Sequence, residues 1–171
     1  MVRLIAPNAQ YLSSYTEAYE EYKANHVTTY TFTDPASCDI FEKFDRYRLE
    51  RNLKPGRVGA HFFWLVDDAN GEFIGEITIR HRLTEELSRH GGHIGYGIRF
   101  SRWNQGFGTQ MLAFALEEAK KLGLSKVLIT CNDDNIGSAR VMEKNGFLFA
   151  DKVENSVDGR SIITRRYLKT L

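Results

Sequence analysis

The sequence lacks an excess of either charge, a long apolar run and any close pair of cysteines. Its 23 lysines and arginines nearly balance its 22 aspartates and glutamates, so the net charge is +1. We therefore expect no nucleic-acid partner and no binding to an anionic membrane surface. The apolar run Phe62–Val66 is far shorter than the roughly 20 residues that a membrane helix needs. The N-terminus has no apolar stretch typical of a signal peptide.

Cysteine is scarce, because only Cys38 and Cys131 occur and they form no CxxC pair. This usage favours a reducing compartment, so we expect a cytoplasmic protein. The five histidines show no spacing typical of metal ligands. These histidines are His26, His61, His81, His90 and His93. We therefore expect no metal site.

The length of 171 residues, 42% of them hydrophobic, suits one globular domain over residues 1–171. Apolar periodicity and the turn residues predict strand, two helices, three strands, helix, strand, helix and two strands. The predicted strands are 3–6, 61–67, 72–80, 93–100, 126–131, 147–155 and 160–168, and Asp158-Gly159 is the predicted hairpin turn between the last two. The predicted helices are 9–24, 105–122, 136–145 and one whose apolar face is Ile40, Phe41, Phe44 and Tyr47. Residues 81–92 are predicted to be a polar loop. The fold class is therefore α/β, and only the unit from His93 to Cys131 requires a parallel pair of strands.

A loop from Arg99 to Thr109, with glycines at 106 and 108, lies between a predicted strand and a long helix. Glycines let the backbone approach a ligand closely. The first N–H groups of a helix have no internal partner, so they bind anions, most naturally phosphate. Arg99 and Arg102 add positive charge nearby. A simple tight turn is the alternative interpretation, because the loop lacks the lysine of a Walker loop and the third glycine of a dinucleotide fingerprint.

Two motifs, taken with their spacing, resemble the Gcn5-related N-acetyltransferase (GNAT) superfamily. Gly106 and Gly108 match its Gln/Arg-x-x-Gly-x-Gly/Ala loop. Its second signature, Asn-x-x-Ala/Ser and then Glu-Lys-x-Gly-Phe, is matched by Asn135, Ser138, Glu143, Lys144, Gly146 and Phe147. The strand His93–Arg99 is similar to one in the branch that contains ribosomal-protein N-terminal acetyltransferases. The similarity covers about residues 60–168, and the element order extends it to the whole chain.

This resemblance implies a mixed, mostly antiparallel sheet with a parallel splayed pair and flanking helices. Residues 61–168 would form an acetyl-CoA-binding core, and residues 1–60 would supply helices on the acceptor side. Acetyl-CoA, the co-substrate, would bind between the fourth and fifth strands, with its pantetheine arm on backbone groups of Tyr96 and Ile98. Its pyrophosphate would lie on backbone N–H groups of Asn104, Gln105, Gly106, Phe107, Gly108 and Thr109. Asn135 would contact the pantetheine arm, and it is also the expected N-cap of the next helix.

One position departs from the loop motif of the family, because Trp103 stands where the family has Gln or Arg. Phosphate binding by backbone groups does not require a particular side chain there. A side-chain contact to phosphate is lost, and Gln105 and Arg102 are candidates to replace it.

An amine is mostly protonated at neutral pH and must lose a proton before it attacks a thioester. His93 is the first candidate base, because it shares a strand face with Gly95 and Gly97, which leave an open floor for a substrate. Glu76, on a polar face with Arg80, is the second. The alternative interpretation of His93 is a surface histidine or one that bonds the loop glycines, and that of Glu76 is a solvated pair with Arg80.

The departing thiolate would take a proton from Ser138, which matches a serine of the related branch. A serine in the first turn of a helix is the alternative interpretation. Many members of the family place a tyrosine where this chain has Met142. Cys131 is expected to be a buried strand residue.

We therefore expect an N-acetyltransferase that moves an acetyl group to a primary amine by direct attack in a ternary complex. The alternatives are an acyl-CoA-binding regulatory module without efficient catalysis, and transfer to a hydroxyl or of a longer acyl chain. The acceptor is expected to be a small-molecule or peptide amine, bound by the tyrosine-rich segment 11–47 and the loop 81–92. The candidates for attracting a cationic amine are Asp39, Glu42, Glu85 and Glu86, which would otherwise be solvated surface. The family resemblance also suggests a homodimer.

Overall fold

Seven strands and five α-helices make up the computed structural model, which describes residues 1–171. The strands are β1 (Val2–Ile5), β2 (Ala60–Asp67), β3 (Glu72–Arg80), β4 (Ile94–Ile98), β5 (Lys126–Asn132), β6 (Leu148–Val157) and β7 (Arg160–Thr170). The helices are α1 (Leu12–Ala24), α2 (Ile40–Arg48), α3 (Glu85–Arg89), α4 (Phe107–Lys121) and α5 (Ile136–Lys144). One sheet has the order β1-β2-β3-β4 and the other the order β5-β7-β6.

The expected α/β fold, with antiparallel sheets and flanking helices, is confirmed. Every ladder between neighbouring strands is antiparallel. The expected splayed pair consists of β4 and β5, which α4 connects. These strands separate so far that they belong to different sheets, and no ladder joins them. Their separation creates a gap in the middle of the molecule.

Local capping side chains start several helices. Asn8 caps a short 3₁₀ turn before α1, so the helix predicted over 9–24 is this turn followed by α1. Asp39 caps α2 by accepting the N–H groups of Phe41 and Glu42. The segment 81–92, expected to be a loop, contains α3, because Thr84 caps a helical turn there.

The predicted hairpin at Asp158-Gly159 joins β6 and β7. Asp158 and Gly159 have φ angles of 51° and 74°, as a two-residue type I′ turn requires. The tight turn keeps the two long strands paired from Val157 and Arg160 onwards. The tip of this hairpin reaches the gap between β4 and β5.

Helix α4 packs on one face of the sheets through the apolar stripe that the sequence predicts. Its buried residues are Met111, Leu112, Ala115, Leu116 and Ala119. They join a core with residues of β3, β5 and α5. Because α4 is fixed along its length, its N-terminus is held at the gap between β4 and β5.

A second core of aromatic residues packs α1 and α2 against the other face of β2 and β3. Tyr15 stacks on Trp64 with ring centroids 4.8 Å apart. Most aromatic residues of segment 11–47, which we expected to build the acceptor site, are therefore core residues instead, because burying their large rings stabilises the fold. Tyr22 and Tyr30 are the two that reach the gap.

Candidate active site

A cleft of about 1370 Å³ opens where β4 and β5 separate. Its walls include both strands, the first turns of α4 and α5, residues 28–30 and the tip of the β6–β7 hairpin. This volume exceeds the roughly 300–1000 Å³ of a typical small-molecule pocket. The cleft therefore has room for a long ligand together with a second molecule.

His93, which directly precedes β4, is bonded to β5 beside the cleft. Its backbone N–H donates to the Leu128 carbonyl at 2.7 Å, and its ring Nδ1 accepts from the Leu128 N–H at 3.0 Å. Beside it, Gly92 has a φ of +63°, and a Cβ there would lie 2.4 Å from the Leu128 carbonyl oxygen. Glycine permits this close approach, and His93 joins the two sheets at this point.

This position does not suit His93 to the role of base. Burial, with Arg80 nearby, lowers the pKa of the imidazole, so the ring is neutral at neutral pH. Because Nδ1 accepts a hydrogen bond, the proton of the neutral ring is on Nε2, and no free lone pair remains for an amine proton. The ring also lies outside the residues that line the cleft, whereas His90, which we had not selected, lines it.

The open glycine floor expected on β4 is covered by Tyr30. A Cβ on Gly97 would lie 2.7 Å from Tyr30 Cδ1, and a Cβ on Gly95 would lie 3.4 Å from Tyr30 Cε2. The two glycines therefore make room for an aromatic ring of the protein itself. Two glycines at this spacing indicate that a flat group packs on the strand, but they do not identify the distant residue that supplies it.

Glu76 lies behind Tyr30 and is 1% exposed, so it forms no solvated pair with Arg80. Its carboxylate accepts hydrogen bonds from the Tyr30 hydroxyl and from Trp64 Nε1–H, each at 2.9 Å. Burial raises the pKa of Glu76 to about 7, although the two hydrogen bonds oppose this rise. Glu76 holds Tyr30 and does not itself line the cleft.

The outer edge of β4 keeps backbone groups that no strand pairs. The Arg99 N–H donates to the Ile74 carbonyl of β3, and ladder bonds of an antiparallel strand involve alternate residues. The backbone groups of Tyr96 and Ile98 therefore face away from β3, towards the cleft that both residues line. This is the strand edge that we expected to bind the pantetheine arm.

Trp103 and Tyr22 already use one of these edge groups. The Ile98 carbonyl accepts from the Tyr22 hydroxyl at 2.6 Å and from Trp103 Nε1–H at 2.7 Å. The indole at the unusual loop position thus caps the end of β4. The Ile98 N–H and both backbone groups of Tyr96 remain open to a ligand.

The N-terminus of α4 has no capping side chain, unlike α2, α3 and α5. Gly106, with a φ of 86°, takes the N-cap position, and Asn104 also has a positive φ of 60°. The Gln110 N–H donates to the Gly106 carbonyl, so the N–H groups before it have no partner within the helix. The positive end of the helix is therefore open to the cleft.

Most of the expected loop residues line this part of the cleft, namely Asn104 and the run from Gly106 to Thr109. Gln105 does not line it, because its side-chain amide donates to the Ser101 carbonyl at 3.2 Å. A role for Gln105 in place of the missing family side chain is therefore not supported by its position.

Arg99 and Arg102 do not supply free positive charge, contrary to our expectation. Arg99 is 6% exposed and contacts Glu21 and Glu72. Arg102 pairs with Glu72 at 2.8 Å. The uncommitted cations near the loop are instead Arg140 and Lys144 of α5, which line the cleft.

Asn135 and Ser138 stand at the start of α5, on the wall of the cleft. Asn135 Oδ1 accepts from the Ser138 N–H at 3.1 Å, so the expected N-cap is confirmed. The Ser138 hydroxyl lies 2.8 Å from the hydroxyl of Tyr96, whose pKa burial raises. The Tyr96 side chain thus brings a second hydroxyl to the cleft.

The positions of Met142 and Cys131 limit which residues can act as the general acid and as the nucleophile. Met142 is fully buried in the core, so no hydroxyl stands at its position. Cys131 lines the cleft, is 7% exposed, and burial raises the pKa of its thiol to about 11. The thiol is therefore protonated at neutral pH and is a weak nucleophile.

Few carboxylates line the cleft. The residues expected to attract a cationic amine, Asp39, Glu42, Glu85 and Glu86, all lie outside it. Asp134 and Asp158 are the acidic residues that line it, against several arginines and Lys144. The cleft is thus more cationic than we expected.

No three His, Cys, Asp or Glu side chains come close enough together to bind a metal ion. None of the helices has both the length and the apolar surface that crossing a bilayer requires.

The fold and the cleft agree with a family comparison. A family model described as an acetyltransferase (GNAT) domain matches residues 9–148. The chain therefore belongs to the GNAT acetyltransferase family, as its motifs predicted, and it is an acyl-CoA N-acetyltransferase. Enzymes of this family use acetyl-CoA as co-substrate. No curated protein sequence matches the chain.

Solved structures show the same fold at low identity. A microcin C7 self-immunity acetyltransferase, solved with acetyl-CoA and AMP, has a TM-score of 0.74 and 15% identity, covering 99% of this chain and 92% of that one. A ribosomal L7/L12 alpha-N-protein acetyltransferase, solved with coenzyme A, has a TM-score of 0.71 and 15% identity, covering 99% and 94%. A Salmonella typhimurium acetyltransferase that modifies the N-terminal serine of the 50S ribosomal subunit protein L7/L12 has a TM-score of 0.71 and 15% identity, covering 99% of this chain and 95% of that one.

Proposed function

We propose that the chain transfers the acetyl group of acetyl-CoA to a primary amine by direct attack in a ternary complex. The observation that carries the proposal is that the uncapped N-terminus of α4 and the free edge of β4 open into the same cleft. The backbone N–H groups at the start of α4 suit a pyrophosphate. The Ile98 N–H and both backbone groups of Tyr96 suit an amide-bearing arm, which binds as an added strand would.

Further side chains of α5 fit the same co-substrate. The amide nitrogen of Asn135 has no protein acceptor, because the cap uses only Oδ1, and it suits a carbonyl of the pantetheine arm. Arg140 and Lys144 line the cleft without a carboxylate partner. Their charges suit phosphate groups. The expected contacts from Arg99, Arg102 and Gln105 are thus replaced by residues on α5.

Direct attack is favoured over a covalent acyl-enzyme. Cys131 is the one cysteine that lines the cleft, and the raised pKa of its thiol, about 11, keeps it protonated at neutral pH. The amine itself therefore serves as the nucleophile, and both substrates must be bound together.

Removal of the amine proton needs a base in the cleft. We assign this role to His90, the histidine that lines the cleft. Its Nδ1 lies 3.3 Å from the Thr164 hydroxyl. With Nδ1–H donating to that oxygen, the ring is fixed and the lone pair of Nε2 is left for the amine proton. His93 and Glu76 are then positioning residues: His93 joins the sheets, and Glu76 holds Tyr30 over the glycines of β4.

The departing thiolate can take a proton from the paired hydroxyls of Ser138 and Tyr96. Ser138 lies on the cleft wall at the start of α5, and the Tyr96 hydroxyl, 2.8 Å from Ser138 Oγ, can replace the proton that Ser138 gives up. These hydroxyls stand in for the tyrosine that Met142 replaces. A regulatory module without catalysis, the alternative suggested by Met142 and Trp103, is therefore not favoured.

Both cysteines are unpaired, which fits a reducing compartment. A cytoplasmic location thus stays our proposal, and a homodimer stays a prediction from the family resemblance.

The proposal is tested by incubating the purified chain with acetyl-CoA and a panel of primary amines. We expect CoA release that depends on the amine, and a product whose mass has increased by one acetyl group. Initial rates at varied concentrations of both substrates should give intersecting lines. Parallel lines would contradict direct attack, and CoA release without any acetylated amine would contradict the proposed reaction.

Replacement of the proton-transfer groups should slow the reaction. We expect His90→Asn and Ser138→Ala each to lower kcat by about 10-fold or more, because each removes a group that moves a proton. His93→Asn is the matched control, because an asparagine Oδ1 can accept the Leu128 N–H as Nδ1 does, and we expect it to keep the wild-type kcat. The measurement is CoA release with the best amine of the panel.

Affinity for acetyl-CoA is measured for each of these variants, so that damage to the cleft is separated from loss of chemistry. Full activity of His90→Asn would remove the assignment of that residue. A well-folded but inactive His93→Asn would instead restore His93 as the base.

A further inference from the structure

Arg80, the last residue of β3, uses only part of its guanidinium on the protein. Its Nη1 donates to the carbonyls of Gly91 and Gly92 at 3.1 and 2.9 Å. No protein acceptor contacts Nε or Nη2. Every side-chain nitrogen that is fully buried has a partner in this structure, so these two nitrogens reach the solvent space of the cleft that Arg80 lines.

Arg80 differs from every other arginine that is at least partly buried. The others each contact a carboxylate, in the pairs Arg99–Glu21, Arg102–Glu72, Arg165–Asp133 and Arg166–Asp151. Arg80 has no carboxylate partner, and burial lowers its pKa, with Arg57 adding to the effect. A partly buried guanidinium without a counter-ion is costly in free energy. An anion bound in the cleft would remove this cost.

The free end of Arg80 lies over β4, next to the ring that covers its glycines. A Cβ on Gly95 would be 3.9 Å from Arg80 Nη2 and 3.4 Å from Tyr30 Cε2. His90, the proposed base, and Gly91 line the same part of the cleft. An anionic group over Gly95 would therefore lie beside the Arg80 guanidinium, which donates to the carbonyl of the residue next to His90.

We infer that the acceptor is a free α-amino acid, whose carboxylate binds Arg80 and whose amine lies beside His90. This inference rests on the proposed function. A guanidinium binds a carboxylate through two parallel hydrogen bonds, and Nε and Nη2 offer the two donors. In an α-amino acid the amine and the carboxylate share one carbon, so a carboxylate held by Arg80 keeps the amine close to this guanidinium. The N-terminus of a peptide has an uncharged amide in place of that carboxylate.

The test compares the twenty standard L-amino acids with their primary amides, which carry the same side chain and amine but no carboxylate. Transfer from acetyl-CoA is followed as kcat/KM with wild type and with Arg80→Gln. For the best amino acid we expect wild type to favour the acid over its amide by about 10-fold or more, as a charge-assisted bidentate contact would. Arg80→Gln should lose this preference while keeping the wild-type Kd for acetyl-CoA.

Two further variants keep the result clear. Arg82→Gln removes an exposed arginine that pairs with Glu50 outside the cleft, and it should keep the preference for the acid. Arg80→Lys keeps the positive charge but lacks the paired donors of the guanidinium, so it should show an intermediate preference for the acid over the amide. This variant preserves the test if Arg80→Gln does not fold.

Amides that react as well as the acids would overturn the inference, as would an unchanged preference in a folded Arg80→Gln. Transfer to peptide N-termini or to polyamines, with none to the free amino acids, would overturn it too. In that last case acetyl transfer itself is observed, so the proposed function would stand while the inference about the acceptor fails.

Discussion

Arg99→Met is expected to lower the free energy of unfolding by about 3 kcal/mol, the low end of the cost of breaking a buried ion pair. Arg99 is 6% exposed and ties α1 and β3 to the loop that follows β4. Its guanidinium contacts Glu21 of α1, Glu72 of β3 and the hydroxyl of Ser14. A methionine would fill much of the same space but leave both carboxylates without this partner.

The low end of that range is expected because each carboxylate keeps another contact. Glu21 still accepts from the Ser101 N–H, and Glu72 still pairs with Arg102. Arg102→Met is the matched control, since it removes an arginine from the same Glu72 but at a more exposed position. We expect that variant to cost no more than about 1 kcal/mol.

Urea unfolding of both variants gives the comparison. An Arg99→Met chain as stable as Arg102→Met would show that the buried network contributes little to stability. The predicted larger loss would explain how the loop that begins at Arg99 is held against α1 and β3.

Glu76→Gln is expected to change how stability depends on pH. The pKa of Glu76 is about 7 in the folded chain, whereas that of an unperturbed glutamate is about 4.3. Between these values the folded state holds a proton that the unfolded state has released, so the stability of wild type falls as pH rises. From pH 5 to pH 8 the loss from this carboxyl is about 2.5 kcal/mol.

Glutamine suits the site because its oxygen can accept from Trp64 Nε1–H and its amide nitrogen can donate to the Tyr30 hydroxyl. The Tyr30 hydroxyl can then donate to Thr78, which lies 3.0 Å away. The variant should therefore fold, and it should lack the loss of stability that wild type shows towards pH 8.

Unfolding free energies are measured at both pH values for wild type and Glu76→Gln. Burial also lowers the pKa of His61 and of His93, but these groups are present in both proteins, so subtracting the two curves isolates Glu76. Parallel curves would show that the Glu76 carboxyl titrates in the folded chain as it does in the unfolded one.

The features that sequence analysis predicted well have local causes. The glycine loop before α4, the Asn135 cap and the Asp158-Gly159 turn are each specified by neighbouring residues. The buried stripe of α4 follows from its apolar period. These elements determine where the cleft lies and why its floor at α4 has free N–H groups, so the position of the cleft could be predicted.

The features that were missed depend on contacts between distant segments. Tyr30 covers Gly95 and Gly97 only because the segment after α1 crosses β4. We expected His93 to lie free on a strand face, but Leu128 of β5 forms hydrogen bonds with both its backbone N–H and its ring. The pairing of Arg99 with Glu21 likewise requires the packed position of α1. No spacing within one segment carries this information, so the acceptor end of the cleft could not be predicted.

The central claim is that acetyl-CoA binds with its pyrophosphate at the start of α4. It is tested most directly by calorimetric titration of acetyl-CoA into wild type, Gly108→Asp and Gly108→Asn. A Cβ on Gly108 would meet Val141 Cγ2 at 3.3 Å and Ile98 Cγ1 at 3.8 Å, so both variants impose the same small steric change. Aspartate in a first helical turn is itself favourable for the helix, so we expect both variants to fold.

We expect Gly108→Asn to bind acetyl-CoA nearly as well as wild type. We expect Gly108→Asp to bind at least about 10-fold more weakly than Gly108→Asn, because its carboxylate repels the phosphates. Equal affinities of the two variants, or no binding by wild type, would contradict the claim that this helix end holds the co-substrate.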